Sequence, residues 1–100
     1  MSPKYSKHRV KGLVVYFTDS CLVEAFHAHA SESQRKAGSA KFFIYEDGSS
    51  RVDKVGALSK PQIKAVQDFI KDNHMEMFEQ WKSEGGKPEY FGSVPKITLE

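Results

Sequence analysis

A single cysteine, Cys21, stands among 100 residues. One thiol can neither close an internal disulfide nor supply the cysteine pairs of a structural zinc site. Long apolar runs are missing too: no stretch approaches the roughly 20 residues that a bilayer-spanning helix needs. The opening MSPKYSKHRVKG is basic but lacks the apolar core of a secretory signal, which argues against export. Internal repeats and linkers are absent, and a chain of this length makes one domain with one modest core. There is no nucleophile motif, no phosphate-cradling glycine loop, and no carboxylate pair at a telling spacing. The expectation is a small cytoplasmic domain without cofactor or membrane contact.

Charge of one sign is also scarce, with a formal net of +2. Its distribution is uneven. Lys4, Lys7, Arg9 and Lys11 precede the first acidic residue, Asp19, so the start of the chain is a basic arm. Such an arm can contact phosphates, and it can equally serve as a solvated terminus.

What is present is a clear alternation of element types. GLVVYFTD is β-branched and aromatic over strand length, with Leu13, Val15 and Phe17 on one face and Val14 and Tyr16 on the other. Apolar residues on both faces predict a central strand. AFHAHA alternates as a second strand, which places Phe26, Ala28 and Ala30 opposite Ala25, His27 and His29. After the polar loop SESQRKAGS comes AKFFIYEDGSSRVDKV, a hairpin turning at Asp47-Gly48, where glycine tolerates the positive φ of a tight turn. The polar second strand of that hairpin reads as a sheet edge.

The period then changes from 2 to 3.6. Ser59 and Gln62 form a capping box around Pro61, and Ile63, Val66, Phe69, Ile70, Met77 and Trp81 make one apolar stripe. A second capping box, Asn73 with Glu76, leaves open one bent helix or two short ones, and Gly85-Gly86 closes the helical region. The predicted fold class is α+β: an antiparallel four-stranded sheet followed by one bent or two α-helices packed on one face. The organisation is a basic flexible arm over 1–11, a single α+β domain over 12–84, and an irregular tail over 85–100, with a short strand-like piece near Ile97.

In this order KGLVVYFTD, FHA, the hairpin and a helix ending in NHMEMFEQW resemble a family of small bacterial proteins called domain of unknown function 4160. The likeness covers about residues 12–82. In that family a His-Phe-His-Ala motif follows the first strand after prolines. Here Val23-Glu24-Ala25-Phe26-His27-Ala28 occupies the place, without the prolines and with Ala25 where the first histidine is expected. His29 is additional, and the family's helical His, acidic residue and Trp match His74, Glu76 or Glu79, and Trp81. The resemblance implies a small cytoplasmic protein whose gene often adjoins another small uncharacterised gene, an arrangement similar to toxin–antitoxin pairs.

Three kinds of chemistry follow. His27 and His29 share a strand face and could hold a metal ion, but a third ligand is needed; His74, Glu24, Asp19 and Cys21 are the candidates, none at a diagnostic spacing. The same histidines could act as general base and general acid on RNA, with Lys41 or Arg51 steadying developing charge. The third reading is a protein-interaction module, one half of a toxin–antitoxin-like pair, binding the adjacent gene product as its protein partner and contacting nucleic acid through Lys4, Lys7, Arg9 and Lys11. This third reading needs no catalytic group and is the favoured one. Trp81 on an apolar stripe is read as core rather than as a platform for base stacking.

Overall fold

The computed structural model describes residues 5, 9–17, 24–32 and 39–91. Lys4, Lys7, Asp19, Cys21 and Ile97 lie outside the described residues. Among the described residues four strands precede one helix: β1 (Val14–Tyr16), β2 (His27–Ser31), β3 (Ala40–Ile44), β4 (Ser50–Lys54) and α1 (Lys60–Ser83). The strands form one antiparallel sheet in the order β1-β2-β3-β4. The fold is therefore the predicted α+β arrangement, a four-stranded antiparallel sheet followed by a C-terminal helix.

The pleat sorts the side chains as the alternation requires. Leu13, Val15, Phe17, Phe26, Ala28, Ala30, Ala40, Phe42 and Ile44 form the buried face. Val66, Ile70, Met77 and Trp81 of α1 complete that core, with Ile63, Phe69 and Phe78 packed at its margin. Each large side chain taken fully out of water contributes about 1.5–3 kcal/mol, so this layer holds helix to sheet.

Local chemistry sets the boundaries. The β3–β4 loop is Glu46-Asp47-Gly48: Gly48 N–H donates to Tyr45 O at 3.0 Å, Tyr45 N–H donates to Ser49 O at 2.8 Å, and Gly48 sits at φ +91. That is a three-residue loop with glycine in the left-handed bulge position. Asp47 accepts from the Ser49 backbone and hydroxyl and so braces the turn. At the start of α1, Ser59 and Gln62 form the expected capping box, with Pro61 in the first turn.

One expectation, the place of β1, is corrected, and two are refined. First, α1 is a single helix through residues 71–76. Asn73 does not cap a second helix; its Nδ2 donates to Phe69 O at 2.8 Å, back-bonding within the ladder. Second, among the described residues β1 is an edge strand, not a central one. Its second face is apolar because Val14 and Tyr16 are buried as well, and its outer edge is met by Tyr5, whose N–H donates to Val15 O at 2.8 Å. Third, the stretch after the helix is irregular but docked. Gly86 N–H donates to Trp81 O and Trp81 Nε1–H donates to Lys87 O at 2.8 Å. Phe26 N–H then reaches Glu89 O and Phe91 N–H reaches Ile44 O, both at 2.9 Å, so residues 89–91 lie against β3 and the start of β2.

Candidate functional site

The polar face of the sheet is a row laid across the strands by register. Tyr16 pairs with His29, His29 with Lys41 and Lys41 with Lys54, so the row crosses all four strands. A second row runs His27–Phe43–Arg51. The pleat turns both rows from the Ala28 and Ala30 side, although the His27 ring, at the start of β2, also reaches Trp81 of the core.

His27 is 0% exposed. Its ring lies edge-on to His29, Phe43 and Trp81 at centroid distances of 5.2, 5.6 and 5.5 Å. Its Nδ1 is 2.8 Å from Ala25 O, and a carbonyl only accepts, so Nδ1 carries the proton. The lone pair of Nε2 is then buried with no partner among the described residues. Leaving such a group unmet costs about 1–3 kcal/mol. Ala25, at the place of the family's first histidine, therefore serves through its carbonyl.

The surroundings disfavour protonation of both imidazoles. Burial lowers the pKa of His27, with the Ala25 carbonyl opposing and Lys41 assisting. Burial lowers His29 to about 4, with His27 and Lys41 pushing the same way and a bond to the Ala40 backbone opposing. Lys41 is itself paired: its Nζ lies 2.9 Å from Glu24 Oε1 and 4.7 Å from the Phe43 ring centroid. The hydrogen bond from Lys41 keeps the Glu24 carboxyl below its usual range. Alongside, Tyr16 Oη and Ser39 Oγ are 2.6 Å apart.

The sequence-predicted residues are thus gathered only in part. His27, His29, Lys41 and Glu24 come together. Arg51 stands opposite Phe43, two strands from the histidines. His74 does not join them; it packs on Gly48, and its Nδ1 is 3.1 Å from Tyr90 Oη. No group of three or more His, Cys, Asp or Glu side chains suited to a metal ion occurs among the described residues. Of the basic arm, Arg9 donates to Gly12 O at 3.0 Å and to Glu32 O, while Lys11 is exposed in a turn at φ +53. Trp81 is core, 0% exposed, between Phe17, Phe26 and His27.

Sequence reasoning missed Tyr90 and Phe91. Phe91 stacks on Phe43 at 4.3 Å, and Tyr90 packs at a tilt against Phe78 at 4.2 Å. Their aromatic character in an otherwise polar tail was the available signal.

The other feature of note is the outer edge of β4. The Tyr45–Ser49 pair is hydrogen-bonded, so by antiparallel alternation Ser50 and Val52 turn their own N–H and C=O away from β3. Gln67 Nε2 takes the Ser50 carbonyl at 3.2 Å. Beyond it no strand lies against Val52 among the described residues, and Arg51, Asp53, Lys54 and Val55 are exposed. No helix among the described residues is long and apolar enough to cross a membrane.

A family model described as Domain of unknown function (DUF4160) matches residues 12–82. No curated protein and no solved structure matches the chain.

Proposed function

The chain belongs to the DUF4160 family, and on that footing we propose that it is a protein-interaction module of the bacterial cytoplasm that binds through the open edge of its sheet. The observation that supports this is β4: past the Gln67 bond to Ser50, its outer side meets no other strand among the described residues, and the side chains on either side of Val52 are exposed. An exposed edge offers a partner strand a row of backbone donors and acceptors, with side chains to set the register.

The ribonuclease reading needs an imidazolium as general acid near neutral pH. Burial and Lys41 both disfavour that form in His27 and His29. The cation that could steady a developing charge, Lys41, is already engaged by Glu24. Interaction asks for none of these groups in a reactive state.

The partner in this proposal is the product of the adjacent gene, with the two proteins forming a toxin–antitoxin-like pair. Co-expression tests it. Stable co-purification that is lost when Val52 is replaced by proline, which removes an outward N–H, is the expected result. Failure to co-purify, or co-purification indifferent to Val52→Pro in a folded variant, contradicts the proposal.

A further inference from the structure

β4 carries opposite charges two residues apart, Arg51 and Asp53, on the side chains flanking Val52. Arg51 lies in the Phe43 row, Lys54 beyond Asp53 returns to the Lys41 row, and Arg51 and Asp53 are both exposed. The register of β4 against β3 shifts between Lys41 and Phe42, which leaves Asp53 as the extra residue between Val52 and Lys54. Extra residues of this kind re-aim side chains at sheet edges.

We infer that the edge of β4 pairs with the same edge of a second copy of this chain, antiparallel about a two-fold axis at Val52. This rests on the interaction reading above and adds a second occupant of the same edge, one that the adjacent gene product displaces when it binds. A two-fold interface must be self-complementary, because residue i meets j and j meets i. Centred on Val52, the pairing sets Arg51 of each copy opposite Asp53 of the other, so the two charge pairs form at once. It also brings together the Val52 N–H and C=O that alternation turns outward, each satisfying its counterpart.

The register is selective. Strands can pair through outward-facing groups only at steps of two residues. Sliding by one such step centres the axis on Arg51 and sets two guanidiniums opposite each other. Sliding the other way centres it on Asp53 and opposes two carboxylates. Like charges directly opposite are destabilising, so the Val52 register is the one the side chains permit. The other end of the sheet offers no such site, because Tyr5 N–H already bonds Val15 O there. The half-exposed apolar side chain of Val55, 51% accessible, sits at the end of the same edge. Five residues a side make a small interface, so the dimer is weak and concentration-dependent.

Sedimentation equilibrium of the full chain from about 10 µM to about 1 mM, the range suited to small interfaces, tests this. Four chains are compared: wild type, Arg51→Asp, Asp53→Arg, and the double exchange. Both positions are exposed, so far-UV circular dichroism is expected to show the same fold in all four. The wild type self-associates, each single reversal weakens association by about tenfold or more, and the double exchange restores it. A wild type that stays monomeric throughout, or a dimer that ignores the single reversals, overturns the inference. A monomer that still binds the adjacent gene product with β4 protected overturns the second-copy assignment alone and leaves the interaction reading standing.

Discussion

His74 lies so close across the hairpin loop from Gly48 that a Cβ on Gly48 would meet its Cδ2 at 2.5 Å. The helix thereby touches the tip of the β3–β4 hairpin, and Lys71 O is 3.1 Å from the same point. Gly48 also sits at φ +91, where an L side chain is strained. Gly48→Ala should therefore lose about 2–3 kcal/mol, combining strain with the clash. Chemical denaturation checks it. Adding His74→Ala to Gly48→Ala should return the steric part and leave the backbone part, a coupling that independent sites would not show.

Trp81 closes the core where α1, β2 and residues 86–91 meet. Trp81→Ala should cost about 3–5 kcal/mol, most of the stability of a domain this size. Trp81→Phe should cost less, yet still forfeit the bond from Nε1 to Lys87 O, worth about 1 kcal/mol. Gly86→Ala should be costly too, because its Cβ would run into the Trp81 indole. Thermal unfolding of the three variants orders them.

Stability should fall in acid for a nameable reason. A histidine whose folded pKa lies below its unfolded value resists protonation only when folded. Its contribution is complete above the unfolded value of 6.5 and is lost as pH falls from there toward the folded pKa, about 4 for His29. His27 acts in the same direction, with Lys41 opposing protonation of both rings and Glu24 favouring it, while Asp53 favours it at His27. After allowance for the partial exposure of His29, its share is about 1–2 kcal/mol at pH 4. Denaturation midpoints between pH 7 and about 4 measure it, and His29→Gln should flatten the slope.

The two charges beside the histidines should move them in opposite directions. Lys41→Gln removes a positive charge that opposes protonation, so the His29 midpoint should rise. Glu24→Gln removes a negative charge that favours it, so the midpoint should fall further. Ring-proton NMR titrations read both. Shifts in the same direction would contradict the arrangement of Glu24, Lys41 and His29.

The elements written in local chemistry were legible. Ser59 and Gln62 announce the helix start, the stripe from Ile63 to Trp81 its buried face, and Asp47-Gly48 the hairpin. Phe26, Ala28 and Ala30 sort to the core by simple alternation. What escaped depends on partners distant in sequence. Nothing near Phe26 foretells that its N–H bonds Glu89 O, and nothing in KPEYFGS marks Tyr90 and Phe91 as packing residues beyond their rings. The depth of His27 follows from the same cause, since Trp81 and Phe43 reach it from other elements. Asn73 misled because one side chain can cap a helix or back-bond within it, and the continuing apolar stripe decided for the latter. The position of β1 misled because burial of both faces arises at an edge when the second face is covered.

The amide of Val52 offers the most direct test of an interaction module that works through β4. Hydrogen exchange is followed residue by residue for the chain alone at about 10 µM, where small interfaces are dissociated, and again with the adjacent gene product in excess. The account predicts that the Val52 amide, directed away from β3, exchanges freely in the isolated chain and becomes protected in the complex, with β2 and β3 unchanged. A complex that leaves Val52 exchanging as before, or protection confined to the His27–His29 face, would contradict it.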